Sequence, residues 1–243
     1  MIFFVVPAYN EEMNISRLIE ETDKFLKKHE LSYKLIIVDD GSRDRTASLV
    51  KDKAAHFPCE LISYQPNQGV QEAFRRGLRH ALETAGNSDA IITMEADLTG
   101  DLNLILKFLS KLSHCDVAVA SYHTKGGGVI GTVWHRRVIS WLANLYSRTL
   151  FHINGVNTYS SFYRIYKPEV LRKVILKYGD FFEEKGFSCV VELLLRIHRL
   201  GFRIDEVPMV LQGAQRSGKS KMKILQTMMG YFRIASRNVF KTI

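Results

Sequence analysis

Two short acidic motifs are the residues of this sequence best suited to chemistry. Asp39-Asp40-Gly41-Ser42 follows the apolar run Leu35-Ile36-Ile37-Val38, and Glu95-Ala96-Asp97 follows Ile91-Ile92-Thr93-Met94. Adjacent carboxylates leaving a strand can accept hydrogen bonds from a ribose or a nucleobase edge. Carboxylates at i and i+2 can aim oxygens at one divalent cation, and Mg2+ or Mn2+ takes hard oxygen ligands that bridge to phosphates. Each motif also has a plainer reading as a capped turn, with Ser42 and Asp39, or Thr99 and Asp101, satisfying free backbone N–H groups. In Asn67-Gln68-Gly69, Gly69 opens a helix and can approach a phosphate, whereas Ala73 and Gly77, four and eight residues on, read as packing. A late basic stretch, Gln215-Arg216-Ser217-Gly218-Lys219-Ser220-Lys221, reads either as a loop closing over a diphosphate or as solvated charge. Pro7-Ala8-Tyr9-Asn10-Glu11 stands where a nicotinamide-binding G-x-G-x-x-G would follow the first strand, so that class is set aside.

The elements that must position these motifs follow from periodicity. Apolar runs at 3–6, 35–38, 60–64, 90–94 and 117–120 read as buried strands. Helical patterns fall between them: Ile15, Leu18, Ile19, Thr22, Phe25 and Leu26; then Ala47, Leu49 and Val50 after Asp44; then 70–85 and 102–112. Alternating strands and helices predict an α/β fold with a mostly parallel central sheet flanked by helices. Ligands of such sheets sit at the carboxyl ends of strands, where every motif named above lies. Further on, Gly126-Gly127-Gly128 reads as a flexible loop, 134–151 and 187–200 as helices, 202–207 as a strand, and 222–243 as an amphipathic helix. The expected organisation is one domain over 1–221 with a C-terminal helical element over 222–243.

The chain has 243 residues, 46% hydrophobic and 24% charged, which excludes disordered, collagen-like and disulfide-scaffold classes. Cys59, Cys115 and Cys189 lie far apart with no C-x-x-C spacing, so a reducing compartment is the expectation. The opening run Met1–Pro7 lacks the features of a signal peptide, and no window of about 18 residues is free of charge, so no spanning helix is expected. The net charge of +9 is unevenly placed. Residues 117–168 hold no acid and six cations: Lys125, Arg136, Arg137, Arg148, Arg164 and Lys167. Residues 207–243 hold no acid and seven: Arg216, Lys219, Lys221, Lys223, Arg233, Arg237 and Lys241. Two cationic regions on a slightly acidic body point to an anionic partner met by the second half.

The order of the motifs resembles the GT-A fold glycosyltransferases of family 2. The second half, with Gly126-Gly127-Gly128, His135-Arg136-Arg137, Ser160-Ser161-Phe162, Glu192-Leu193-Leu194 and Gly218-Lys219-Ser220-Lys221, is similar to the polyprenyl-phosphate glycosyltransferase (dolichol-phosphate mannosyltransferase) branch. The resemblance spans about residues 2–225. It implies that Pro7, Tyr9, Asn10, Glu11, Asp39, Asp40 and Gly69 hold a nucleotide sugar. It implies that Glu95 and Asp97 bind Mg2+ or Mn2+ at the diphosphate, and that Arg136, Arg216 and Lys221 neutralise diphosphate or acceptor phosphate. Five positions depart from the usual pattern: Glu95 for the first Asp of Asp-x-Asp, Thr99 for Gln, Tyr122 for Arg, Asn157 for Asp, and Ser161 for Gly.

The expected reaction is inverting transfer of a sugar from a nucleotide donor, of GDP-mannose or UDP-glucose type, to a polyprenyl phosphate. The expected catalytic residues are Asp97, Glu192 and Arg136. A lipid phosphate is already anionic, whereas a saccharide hydroxyl, the alternative acceptor, needs a base, for which Glu192 is the candidate. The alternative for Glu192 is an ion pair with Arg196 at i+4. In 222–243, Leu225, Met228, Met229, Phe232, Val239, Phe240 and Ile243 share one face and Lys223, Arg233, Arg237 and Lys241 the other. That is the pattern of a helix lying on anionic lipid, or of one docked on the core or on a partner. A peripheral position on the cytoplasmic face of a membrane is therefore expected, with a membrane-anchored protein partner as a further option. Nucleic acid is not expected as a partner, because no recognised reader motif is present. A non-enzymatic binding module is the remaining rival.

Overall fold

The structure is a computed structural model. It describes the backbone of residues 1–131, 134–212 and 224–239; the side chains of 134–140, 143, 224–225 and 238–239 are outside the described set. Nine strands and eight helices are described. The first half runs β1 (Ile2–Ala8), α1 (Ile15–Lys28), β2 (Tyr33–Asp39), α2 (Thr46–Ala54), β3 (Cys59–Ser63), α3 (Val70–Thr84), β4 (Ala90–Thr93), α4 (Leu104–Lys111) and β5 (Val117–Ser121). The second half adds β6 (Gly128–Ile130), α5 (Trp134–Phe151), β7 (Arg164–Tyr166), α6 (Pro168–Tyr178), a 3-10 turn at Gly186–Ser188, α7 (Cys189–Arg199), β8 (Ile204–Pro208), β9 (Val210–Gln212) and α8 (Ile224–Val239).

Seven strands form one sheet in the order β3-β2-β1-β4-β7-β5-β8. All neighbours are parallel except β7, which runs antiparallel to both β4 and β5. Successive residues of a strand point to opposite faces, so each strand supplies two cores. Phe3, Val5, Ile36 and Val38 pack on one face with α3, α6, α7 and α8; Phe4, Val6, Leu35 and Ile37 pack on the other with α1, α2 and α4. This continuous apolar character, rather than alternation, is what a strand covered on both sides requires.

The register sets the place of the site. β1 pairs with β2 as far as Ala8 and Asp39, but with β4 only as far as Val5 and Thr93. Beyond Val5 the two neighbours of β1 part, and a crevice opens at their carboxyl ends. On the opposite face, α3 lies close on the sheet at Gly77, where a Cβ would come within 2.4 Å of Val5 Cγ1 and 2.9 Å of Val38 Cγ2. The small-residue face of α3 is therefore packing, as its spacing suggests.

Some expectations are corrected. The glycine run is not a free loop: Gly127 N–H bonds the Thr124 carbonyl at 2.9 Å, and Gly128 starts β6, which pairs in parallel with β9. β7 and α6 were not legible as elements. Two of the cations counted as partner-facing are engaged within the chain: Arg164 is fully buried, donating to the carbonyls of Val190 and Tyr159, and half-buried Lys167 pairs with Asp116 at 2.9 Å. The three cysteines are buried and unbridged, and no described helix is long and apolar enough to cross a membrane.

The contact at Gly77 makes a stability prediction. Gly77→Ala overpacks the junction of α3 with β1 and β2 and is expected to cost about 1–3 kcal/mol in chemical denaturation. Gly128→Ala, whose Cβ meets nothing within 4 Å, is the comparison and leaves the denaturation midpoint unchanged.

Candidate active site

A cavity of about 530 Å³ fills the crevice. Its walls come from the ends of four strands and from three later segments. The first turn contributes Pro7, Tyr9 and Glu11; the second, Asp40; the third, Asn67, Gly69 and Gln71; the fourth, Glu95 and Asp97. Phe162, then Lys185, Gly186 and Phe187, then Gln226 and Thr227 of α8 complete it.

The turn after β1 is stitched to the turn after β2 by side chains that satisfy backbone N–H groups. Asn10 N–H bonds Ser42 Oγ at 2.9 Å, and Arg43 N–H bonds Asn10 Oδ1 at 2.8 Å. Glu11 N–H bonds Thr46 Oγ1 at 2.8 Å, and Asn14 Nδ2 bonds Glu11 Oε2 at 2.7 Å. Asn10 holds a left-handed φ of 51°, which Asn tolerates better than most residues. It braces the loop and is absent from the cavity wall. Asp39 is likewise buried and braces, accepting from Ser42 N–H and from Ser63 Oγ. The two adjacent aspartates therefore differ in role.

Asp40 does face the cavity, and it is held firmly. Its carboxylate accepts from Asn67 Nδ2 at 2.8 Å, Gln68 N–H at 2.7 Å and Gly69 N–H at 2.9 Å. Burial raises its pKa above the ordinary carboxylate value, while these N–H donors pull the other way. The tether needs Gly41 and Gly69, both at positive φ: a Cβ on Gly41 would sit 2.6 Å from the Asn67 nitrogen. Gly69 keeps the cavity-lining place that its position at the start of α3 suggests.

Glu95 and Asp97 reach the same cavity from the end of β4. Asp97 is almost fully buried, and its Oδ1 accepts from Thr99 N–H at 3.2 Å and Thr99 Oγ1 at 2.6 Å. Thr99, one of the departures, thus fixes the rotamer of the second acid. The tight turn puts Leu98 at φ 61°, a conformation costly for a residue with a Cβ. Of the other departures, Tyr122 Oη bonds Ser160 Oγ, and Asn157 donates to Glu206.

Glu192 does not reach the cavity. It is fully buried in α7; its Oε1 accepts from Arg196 Nη2 at 2.7 Å, and its Oε2 accepts from the N–H groups of Glu183 and Glu184 at 2.9 and 2.7 Å. Both oxygens are occupied: the alternative i+4 pair with Arg196 is formed, and the carboxylate is not on the cavity wall where a general base would act. Arg136 lies in the first turn of α5, but its side chain is outside the described residues, as are Arg216 and Lys221 with the whole basic stretch around them.

The C-terminal helix is docked and yet leaves an apolar face open. Thr227, Tyr231, Ile234 and Ala235 of α8 are buried, and Gly230 approaches Ser188 so closely that a Cβ would lie 2.2 Å from its Oγ. Arg233 and Arg237 do not face outward as free cations: both pair with Glu184, and Arg237 also pairs with Glu183. Met228, Met229 and Phe232 point to solvent at 44%, 53% and 59% exposure. α5 packs against α8, where Phe232 lies edge-on to Tyr146, and it too exposes apolar side chains: Trp141, Leu142 and Leu145.

Sequence reasoning missed the segment Lys185-Gly186-Phe187 and the residues Gln71, Gln226 and Thr227. None follows a strand, and the lone Gly186 is a weak turn signal. Removing one partner of a buried ion pair leaves the other uncompensated. Glu192→Gln is therefore expected to lower stability by about 3 kcal/mol in urea denaturation, with donor affinity and turnover falling together. Loss of turnover in a variant of unchanged stability and unchanged donor affinity would contradict this.

The comparisons with known proteins agree with this architecture. The model of glycosyl transferase family 2 matches residues 3–175. An undecaprenyl-phosphate mannosyltransferase of Micrococcus luteus is 28% identical over 91% of this chain and 87% of its own length. A dolichol-phosphate mannosyltransferase of Pyrococcus furiosus is also 28% identical, over 90% of this chain but only 58% of that longer protein. Among solved structures, glucosyl-3-phosphoglycerate synthase of Mycobacterium tuberculosis, crystallised with Mn2+ and uridine diphosphate, superposes with a TM-score of 0.68. It covers 97% of this chain and 80% of its own, at 17% identity, a likeness of fold. The crevice at the parting of β1 and β4, walled by the motifs that open the family's pattern, accords with that match, and the chain belongs to glycosyl transferase family 2.

Proposed function

We propose that this glycosyltransferase moves a hexose, with inversion, from a GDP-mannose or UDP-glucose type donor to a polyprenyl phosphate at a membrane surface. The observation that carries the reading is the junction of two features. The cavity holding Asp40, Glu95 and Asp97 is closed on one side by Gln226 and Thr227 of α8, and the next residues of α8 open the apolar face. A substrate with a phosphate head and an isoprenoid tail would span that junction. The relatives whose names specify undecaprenyl or dolichol phosphate mannosyl transfer support the acceptor class.

Glu95 and Asp97 suit Mg2+ or Mn2+ by their donor chemistry: two hard carboxylates on one cavity wall. Among the described residues no set of three metal-ligating side chains is assembled; diphosphate oxygens and water would supply the remaining oxygen ligands. Bound there, the cation would neutralise charge growing on the departing nucleoside diphosphate. Pro7, Tyr9, Glu11 and Asp40 would hold the nucleoside, with Asp40 preset by its three donors rather than ordered on binding. Thr99 would keep Asp97 in one orientation through donor binding and departure. The acceptor phosphate oxygen would attack the anomeric carbon from the face opposite the leaving group, and being anionic at neutral pH it needs no base. The burial of Glu192 favours this acceptor over a saccharide hydroxyl, since the carboxylate suited to activate a hydroxyl is sealed away.

The apolar faces of α5 and α8 would rest on the lipid interface. A peripheral position on the cytoplasmic side, through these faces alone or with a membrane-anchored partner, is part of the same proposal.

Two measurements test it. With a panel of nucleotide sugars, a short-chain polyprenyl phosphate and Mg2+ or Mn2+, one donor is expected to give a lipid-linked sugar. Asp97→Asn is expected to lower that rate by at least about a hundredfold. Donor hydrolysis without lipid product would move the acceptor to a saccharide, and silence with every donor would favour a binding module. Separately, Met229→Glu with Phe232→Glu is expected to release the protein from sedimenting anionic vesicles without changing its melting midpoint. Vesicle binding equal to wild type would remove α8 from the membrane.

A further inference from the structure

Among the described residues that line the cavity there are four carboxylates (Glu11, Asp40, Glu95 and Asp97) and a single Lys or Arg, Lys185. Phosphate groups entering such a wall meet repulsion unless cations offset it. The basic residues that the sequence offers for this purpose are largely spoken for where they are described. Arg164 is buried on carbonyls, and Arg233 and Arg237 of α8 are paired with Glu183 and Glu184. Lys185 follows those two glutamates directly, but no carboxylate among the described residues pairs with it, and its side chain is exposed to the cavity.

The backbone beneath Lys185 is fixed from four directions. Glu192 accepts the N–H groups of Glu183 and Glu184. Gln71 Oε1, reaching from α3, accepts the Gly186 N–H at 2.7 Å. Ser188 Oγ donates to the Lys185 carbonyl at 3.0 Å. The Glu184 carboxylate is gripped by the two arginines of α8. Six neighbouring groups are thus spent on holding a segment whose one unpaired charge faces the cavity. The neutralised glutamates on its N-terminal side leave the field of the ammonium uncancelled.

We propose that Lys185 is a phosphate-binding residue of this cavity, receiving an oxygen of the donor diphosphate or of the acceptor phosphate. The proposal rests on the reading of the cavity as a nucleotide-sugar and lipid-phosphate site. A lysine suits the role as a compact point charge on a flexible stem, able to follow a phosphate whose charge changes during transfer. Gln71 and Glu184 are then positioning residues, acting through the segment and not on the substrate.

The test uses the whole chain and its variants Lys185→Ala, Lys185→Arg and Lys185→Glu. Calorimetry with a nucleoside diphosphate and Mg2+ gives the donor-side affinity, and steady-state transfer gives KM for a short-chain polyprenyl phosphate. Loss of one charge-assisted phosphate contact is expected to weaken one of these constants about tenfold in Lys185→Ala. Lys185→Glu is expected to weaken it further, Lys185→Arg to restore most of it, and the melting midpoint to stay unchanged. A shift in nucleotide affinity assigns the contact to the donor; a shift in acceptor KM alone assigns it to the lipid phosphate. If Ala and Glu variants keep both constants within about twofold of wild type, or lose them only together with their melting midpoint, the proposal is overturned. Wild-type protein that binds no nucleoside diphosphate would instead bring down the reading of the cavity itself, and Lys185 with it.

Discussion

The parting of β1 from β4 after the Val5–Thr93 pair sets where the crevice opens and which residues wall it. Up to that point β1 is hydrogen-bonded on both sides and buried on both faces. Past it, Pro7 continues beside β2 alone and the chain ends of both strands turn outward around a crevice. The acidic walls of the cavity, at Glu11, Asp40, Glu95 and Asp97, all follow from that split. Asp40 N–H bonds the Ala8 carbonyl at 2.9 Å, so even the second wall is indexed to the first strand. The turns carry their strain where they carry their chemistry, with Asn10 and Leu98 both in left-handed conformations beside Glu11 and Asp97.

The second half solves a different problem. Its helices must lie on a sheet already formed and still complete the cavity. A buried ion pair, Glu192 with Arg196, sits at the centre of that arrangement. Such pairs contribute little net stability against an apolar alternative, but they penalise any packing that leaves either member unpaired. Here the pair also spends its spare oxygen on two backbone N–H groups and so dictates the path of residues 183–188. α8 then docks on that path through Gly230 and the two arginines, which turns its apolar residues outward.

Much of this was legible in the sequence, for identifiable reasons. Strands buried on both faces appear as uninterrupted apolar runs, and the first five were read within two residues or so of their ends. α5 was read over its full span because Val138, Trp141, Leu142 and Leu145 recur at helical spacing. The acidic motifs were placed correctly at strand ends, since a parallel sheet has only one end where ligands gather. What the sequence could not reveal depends on long-range contacts. β7 is three residues long and includes a buried arginine, so no local pattern marks it. The roles of Asp39 and Asp40 diverge only because Ser63 faces one and the Asn67–Gly69 turn faces the other. Glu192 looks like a base from its chemistry and is a brace by its burial. Lys185 carries no local signal at all, because its significance comes from what its neighbours are paired with.

In the proposed reaction, Glu95 and Asp97 bind a divalent cation together with a nucleoside diphosphate in the crevice. The most direct measurement is the Mn2+ spin-resonance spectrum of the whole protein, titrated with a nucleoside diphosphate, in wild type and in Asp97→Asn. In wild type, nucleotide and protein together are expected to remove free Mn2+ from the spectrum far more strongly than nucleotide alone, and Asp97→Asn is expected to abolish the difference. Nucleotide bound equally well with and without Mn2+, or a wild-type spectrum no different from that of Asp97→Asn, would contradict this mode of binding.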